Sequence, residues 1–344
     1  MNAAKCLPLL AIGSLGGTVS MQVEKAGAGV TPSLSGEALL AGLPLLQGLA
    51  LINAETLQLL PSASLTFIQL LDVLQWADAQ VKKGAHGVVL TQGTDTLEEV
   101  AYFLDLLWPH DVPLVLTGAM RSANQAGADG PANLLASVQV ALSAESHGRG
   151  ALVVINDQVH AAVHVRKADS LAMEAFTSSH FGPEGLLIEG RVCYLKAPRR
   201  RCALPAPQRL DHRVALLEAG LSADTLLLEE VAGLGYEGLV IAGFGAGHVS
   251  QEWARCLGQI SQWLPVVVAT RTGAGTTASC TYGFNGGEMD LQRRGVRMAG
   301  FLCPRKCRVL LWVLIGCGRE GELARHLDVR GLTASAAPLK HAGD

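Results

Sequence analysis

The chain has 344 residues, more than a single compact core usually holds, so two domains are the default. Its residues are 49% hydrophobic and 17% charged with 39 glycines, which excludes a disordered chain and suits buried parallel strands joined by tight turns. A formal net charge of -3 argues against a general polyanion binder, so no nucleic-acid partner is expected. No apolar run approaches the roughly 20 residues of a membrane span, so no membrane partner is expected either.

In chain order, apolar runs at residues 7 to 12, 86 to 91, 112 to 116 and 151 to 155 predict strands, and helical patterns at 65 to 83, 95 to 107 and 130 to 143 lie between them. Strand alternating with helix predicts right-handed βαβ units around a parallel sheet. Residues 19 to 35 have no clear periodicity and directly follow Thr18, the pattern of a loop long enough to serve as a lid. Residues 196 to 212 are basic and rich in proline, which disfavours both helix and central strand, so they read as a solvated linker between domains. Strands near 213 to 218, 237 to 243 and 265 to 270, with helices near 250 to 262, 304 to 315 and 319 to 327, predict a second, smaller α/β layer. The expected organisation is an N-terminal domain over 1–195, a linker over 196–212 and a C-terminal α/β domain over 213–344.

Eight cysteines (Cys6, Cys193, Cys202, Cys256, Cys280, Cys303, Cys307 and Cys317) form no CxxC pair, which predicts reduced, buried thiols. Cys303 and Cys307 can share a helix face, but no histidine follows at zinc-site spacing, and His160 with His164 lacks the glutamate of a HExxH helix. No metal is expected. Lys5 and the apolar run after it superficially resemble a short signal peptide, yet that run leads directly into Gly16-Gly17-Thr18, so a cytoplasmic location is expected.

Chemistry is concentrated at strand ends. Leu15-Gly16-Gly17-Thr18-Val19 and Gln92-Gly93-Thr94-Asp95-Thr96 each follow an apolar run, and open α/β sheets bind ligands where such strands end. Glycine there permits a sharp turn and a close approach, while threonine supplies an oxygen that can attack, donate or accept. Lys167 lies beyond a further strand, and a fold that brought it to Thr94 would let it take that hydroxyl's proton, with Asp95 alongside. Thr117-Gly118-Ala119-Met120-Arg121-Ser122 forms a third turn whose N–H groups can meet a developing oxyanion. Taken singly, the Gly-Thr-Asp-Thr turn is also an ordinary helix cap and a lysine after a strand is usually solvated.

The ordered set Gly16-Gly17-Thr18, Gly93-Thr94-Asp95-Thr96, Gly118-Ala119-Met120-Arg121, Ala128-Asp129-Gly130-Pro131-Ala132-Asn133-Leu134 and Asn156-Asp157 with Lys167 resembles the bacterial-type L-asparaginase and glutaminase-asparaginase family. Ala242-Gly243-Phe244-Gly245-Ala246-Gly247-His248, Arg271-Thr272-Gly273 and Ala299-Gly300-Phe301-Leu302-Cys303-Pro304-Arg305-Lys306 extend the resemblance over nearly the whole chain. It implies a large flavodoxin-like N-terminal domain, a smaller α/β C-terminal domain, no cofactor, and a homotetramer built as a dimer of dimers. It also implies hydrolysis of L-asparagine to L-aspartate and ammonia, with Thr18 as the nucleophile that forms an acyl-enzyme and Thr94, Asp95 and Lys167 as a proton relay. By the same resemblance the oxyanion meets the N–H groups of Thr94 and Ala119, Asp95 holds the substrate ammonium and Ser62 binds its α-carboxylate. Glu288, by its spacing before Gly295 and Gly300, matches an acid that reaches the ammonium from a neighbouring subunit.

The chain departs from the family pattern at Leu15 and Gln92, where threonine and histidine are usual, and at Ala63, Ala246 and His248, where amides are common. No tyrosine lies between Val19 and Ser35, and Thr31 or Ser33 is the available substitute hydroxyl. Glutamine exceeds asparagine by one methylene, which a pocket discriminates by only about 1 to 3 kcal/mol, so a relaxed glutaminase-asparaginase is the alternative. The subunit that feeds ammonia to a tRNA-dependent amidotransferase is disfavoured by a first strand that begins at once. A non-catalytic amino-acid sensor is motivated by the missing tyrosine. A phosphate or nucleotide binder is weaker, because neither GxGxxG nor GxxxxGK[ST] follows a strand.

Overall fold

The computed structural model describes residues 7–17, 21–22, 31–32, 43–198 and 202–331. It divides into two compact units, Met1–Leu204 and Pro205–Asp344.

The first unit carries an eight-stranded sheet. Its parallel part comprises β1 (Leu9–Ser14), β4 (Leu51–Thr56), β5 (Gly87–Thr91), β6 (Leu114–Thr117) and β7 (Ala151–Ile155), while the pair β2 (Met21–Gln22) and β3 (Thr31–Pro32) stands apart as a two-residue antiparallel stem. The parallel strands lie side by side in the order β4-β1-β5-β6-β7. Numbered by chain position this is the flavodoxin-like order 2-1-3-4-5, and the order reverses between β1 and β5, so a crevice opens at their carboxyl ends. Every residue of β5, β6 and β7 is buried, as expected of strands covered on both faces.

Three helices cover this sheet: α1 (Phe67–Lys82), α2 (Leu97–Leu107) and α3 (Gly130–Leu142). Thr66 and Gln69 form a capping box that starts α1, the Thr66 hydroxyl accepting from Gln69 N at 3.3 Å and the Gln69 Oε1 accepting from Thr66 N at 2.9 Å. Every residue of α2 but Glu99 is buried, including the acids Glu98 and Asp105, so the helix is enclosed. Leu134, Val138 and Ala141 of α3 pack on Leu10, Val89, Val115 and Leu152 of the strands.

The sheet is not wholly parallel. Beyond β7 it continues antiparallel through β8 (Gln158–Ala161), β11 (Gly185–Ile188) and β12 (Arg191–Tyr194), and β9 (Arg166–Lys167) pairs with β10 (Phe176–Thr177) in a separate ribbon. The parallel part of the sheet, β4-β1-β5-β6-β7, is the expected one; the antiparallel extension begins at Asn156 and Asp157, whose φ values of 50° and 57° make the left-handed two-residue turn that folds β8 straight back onto β7. Of residues 19 to 35, where a lid is expected, only Met21–Gln22 and Thr31–Pro32 are described, paired as the β2–β3 stem; the rest of that stretch lies outside the described residues.

The second unit is a parallel sheet of β13 (Val214–Glu218), β14 (Gly238–Gly243), β15 (Val266–Thr270) and β16 (Arg297–Met298) in chain order. Its helices are α4 (Leu226–Glu230), α5 (Gln251–Ile260), α6 (Glu288–Arg293), α7 (Pro304–Gly316) and α8 (Leu323–Gly331). Trp253 and Leu257 of α5 pack on Leu239, Ile241, Val266 and Val268. The helix expected at 319 to 327 starts with a 3-10 turn, Glu320–Glu322, before α8.

The seven described cysteines are free thiols, but only Cys256, Cys303 and Cys307 are buried; Cys193, Cys202 and Cys280 are exposed. This corrects the expectation of buried thiols: Cys193 stands on the edge strand β12, and Cys202 and Cys280 in irregular chain. Among the described residues no helix is long and apolar enough to cross a membrane, and no group of three or more His, Cys, Asp or Glu is placed to hold a metal ion. His160 instead shares a 2.9 Å hydrogen bond with Ser178 Oγ, and His164 stacks on Phe181.

Candidate active site

Hydroxyls line the carboxyl ends of the strands where the strand order reverses. Thr56, Ser14, Thr91 and Thr117 are paired in register across β4, β1, β5 and β6. Ser14 Oγ and Thr91 Oγ1 are buried with no hydrogen-bond partner among the described residues, as are Ser62 Oγ and Gln92 Oε1. Buried polar atoms normally find a partner, so these four atoms mark the carboxyl ends of β1 and β5 as a polar crevice.

The two glycine turns meet there. Gly17 has φ of +83°, and a Cβ on it would lie 1.9 Å from Gly93 N. Only glycine permits this approach, which lays the β1 turn directly on the β5 turn. A Cβ on Gly93 would in turn stand 2.7 Å from Ser62 Oγ, so the 3-10 turn Ser62–Ser64 closes on the same point. Thr18, next in the chain after Gly17, lies outside the described residues, as does Ser33, and Thr31 is described in its backbone alone.

Thr94–Thr96 is a 3-10 turn that runs straight into α2. Its hydroxyls do not cap the helix: Thr96 Oγ1 donates to Ser62 O at 2.9 Å, and Thr94 Oγ1 accepts from Lys167 Nζ at 3.0 Å. Lys167 Nζ also meets Asp95 Oδ1 at 2.8 Å. The lysine side chain is 15% exposed and the aspartate 70%, so the ammonium is drawn in from solvent while its carboxylate partner faces out. The Thr94 N–H begins a helical segment and has no carbonyl one turn earlier to receive it.

The third turn is braced by α3. Asp129 accepts from Met120 N through both carboxylate oxygens, at 3.1 and 2.9 Å, and from Arg121 N at 2.9 Å. Asn133 donates to Gly118 O and to Asp129 Oδ2, each at 3.0 Å, and accepts from Asn156 N at 2.9 Å. With Met120 and Arg121 tied back to Asp129, the intervening Ala119 N–H is left with no acceptor among the described residues. Asn133 links the Ala119 turn to the β7–β8 turn, from which the chain proceeds to Lys167. Sequence reading quoted Asp129 and Asn133 without a role, and missed Glu98, which accepts from Lys167 N at 2.6 Å. The four-residue spacing from Thr94 to Glu98 at a helix start is the signal that places both on one face.

Glu288 belongs to the second unit, at the start of α6, and is buried. Its Oε1 accepts from Thr281 N and Tyr282 N at 2.6 and 2.7 Å, and His248 Nε2 lies 3.3 Å from its Oε2. Burial alone would raise this carboxyl, but the N–H groups of Tyr282 and Thr281, with His248, hold it below its ordinary value. The His248 ring is met edge-on by Tyr282 and Phe284, at centroid separations of 4.7 and 5.2 Å.

In the first unit, then, four separate stretches of sequence bring an amine, a hydroxyl, a carboxylate and unused N–H groups to one crevice, a set suited to proton transfer and to stabilising an oxyanion. The family described as Asparaginase, N-terminal matches residues 9–200, and the Glutaminase/Asparaginase C-terminal domain matches residues 213–327. The chain is 35% identical over 337 residues to "Probable L-asparaginase" of Deinococcus radiodurans, covering 95% of this chain and 98% of that one. It is 31% identical to "L-asparaginase 2" of Escherichia coli, covering 90% of this chain and 89% of the relative. Among solved structures, a "Probable Cytoplasmic L-asparaginase" from Campylobacter jejuni superposes with a TM-score of 0.83 at 28% identity, over 93% of this chain and 99% of the other. The chain belongs to the asparaginase family.

Proposed function

We propose that the protein hydrolyses L-asparagine to L-aspartate and ammonia through an acyl-enzyme on Thr18. The observation that carries the proposal is Lys167 Nζ at 3.0 Å from Thr94 Oγ1 and 2.8 Å from Asp95 Oδ1, on a chain whose relatives are named L-asparaginase.

The Thr18 hydroxyl oxygen attacks the side-chain amide carbon, and the amide oxygen becomes an oxyanion that the Thr94 and Ala119 N–H groups receive. Removing one such donor from an oxyanion typically costs a factor of about 100 to 1,000 in rate. Collapse breaks the C–N bond, and the nitrogen, carrying the proton that Thr18 gives up, leaves as ammonia. Water then attacks the ester, giving a proton to the relay of Thr94, Lys167 and Asp95; as the C–O bond breaks to release aspartate, the relay returns that proton to the departing Thr18 oxygen and restores its hydroxyl. Asp95, largely exposed, and Ser62, whose buried Oγ has no hydrogen-bond partner among the described residues, are the proposed contacts for the substrate ammonium and α-carboxylate. Glu288 is the proposed acid from a neighbouring subunit, which requires the homotetramer, and the proposed location is the cytoplasm.

A specific observation keeps glutamine in view: the chain is 30% identical to a "Glutaminase-asparaginase" of Pseudomonas fluorescens over 81% of its length. Ammonia release from asparagine and glutamine, measured side by side with purified protein, tests the proposal. Turnover of asparagine is expected, and ligand binding without ammonia release would replace it with the sensor reading.

A further inference from the structure

We propose that Glu98 is a positioning residue that sets the Lys167 amine on the Thr94 hydroxyl, an inference that rests on the function proposed above. Glu98 is 2% exposed, although it lies in the first turn of α2, where an acid serves the helix equally well facing solvent. A carboxylate is buried at a cost unless it is paired or hydrogen-bonded, so its position calls for a partner. One partner is the Lys167 main chain, whose N–H donates to Glu98 Oε2 at 2.6 Å.

The geometry of β9 explains why that N–H is available. Lys167 is paired with Phe176 in the antiparallel ribbon, and the ladder bond on this side runs from Ala168 N to Ala175 O. Alternate N–H groups of a two-stranded ribbon point outward, and that of Lys167 points to α2 rather than to β10. One helical start therefore holds Lys167 at both ends: Thr94 Oγ1 and Asp95 Oδ1 take the amine at 3.0 and 2.8 Å, and Glu98 takes the backbone at 2.6 Å.

The two ends are not equivalent. Asp95 is largely open to solvent and can hold an ammonium over a range of positions, whereas Thr94 is buried and is reached only if the flexible lysine stem starts from a fixed point. Releasing the backbone leaves the ion pair with Asp95 intact and loses the contact to Thr94. The consequence is kinetic: a misplacement of about 1 Å in a reacting group costs on the order of 100-fold in rate.

The test compares wild type, E98A and E98Q in the full-length protein, each shown folded at the assay temperature by thermal unfolding. E98A is expected to lower kcat by about 100-fold with KM for asparagine within about 3-fold, because the substrate contacts are untouched. E98Q, whose amide oxygen accepts the same N–H, is expected to recover most of that loss. A second readout does not need turnover: modification of Lys167 by an amine-directed reagent, followed by mass spectrometry, is expected to be faster in E98A than in wild type and slow again in E98Q. Wild-type kcat together with wild-type labelling in E98A overturns the proposal, and so does E98Q behaving like E98A in both readouts. If wild type releases no ammonia, the functional reading fails, and the labelling comparison still decides the positioning role.

Discussion

Substituting Gly17 by alanine tests whether the meeting of the two glycine turns is what assembles the site. The added Cβ would lie 1.9 Å from Gly93 N, 2.3 Å from Gly93 Cα and 2.5 Å from the Gln92 carbonyl carbon, and all three are backbone atoms that no rotamer change can move. The turns must part by about 1.1 Å before the first contact reaches 3.0 Å, the closest approach real Cβ atoms make. Holding alanine at φ of +83° adds about 1 to 2 kcal/mol of backbone strain. Strain of that size lowers Tm by about 2 to 4 °C per kcal/mol in a domain of this length. The larger effect falls on chemistry, since a separation of about 1 Å between Thr18 and the Thr94 relay costs on the order of 100-fold in kcat. Thermal unfolding and steady-state ammonia release measure the two effects separately. A variant with wild-type kcat would show that the contact between the turns does not set the reacting geometry.

Asn133→Ala removes the link between Gly118 O, Asp129 and Asn156 N in a buried setting, and should destabilise the protein by about 2 to 4 kcal/mol in urea unfolding. Thr94→Val keeps the shape of a nearly buried side chain but removes the hydroxyl that Lys167 meets; kcat should fall by about 100-fold or more while the protein stays folded, as circular dichroism can check. Glu288 titrates lower in the folded chain than its ordinary value of 4.5, so it stabilises the fold above about pH 4.5, and that contribution is lost as pH falls through the lowered folded value. Urea unfolding of wild type and E288Q between pH 6 and pH 3 should accordingly show a stability difference that is steady at the upper end and shrinks toward the lower.

The parts of the fold that were legible in the sequence are those whose pattern has one cause. β5, β6 and β7 are enclosed on both faces and read as unbroken apolar runs, and α1 shows as the helical pattern over 65 to 83. The missed strands answer to other constraints. β4 is an edge strand, mostly exposed, that sets only the half-buried Ile52 and Ala54 against the core, too short an alternation to stand out, and β16 has two residues. β8 depends on the left-handed turn at Asn156 and Asp157, a matter of backbone conformation rather than of hydrophobic period. In the candidate site, the Thr94, Asp95 and Lys167 constellation was foreseeable because chemistry restricts which residue types can supply it. The spacing from Thr94 puts Glu98 on the same helix face, but its role and that of Asn133 were not foreseeable, because each meets a backbone N–H and nothing in a side-chain pattern says which main-chain N–H will need an acceptor.

Ammonia release from asparagine by wild type and by Lys167→Met, measured together on folded protein, probes the reaction and its proton relay at once. Wild type should yield aspartate and ammonia in equal amounts, and Lys167→Met should be slower by about 100-fold or more, since the amine within reach of Thr94 is gone. Wild-type protein that yields no ammonia, or a Lys167→Met variant that keeps pace with it, would contradict the account.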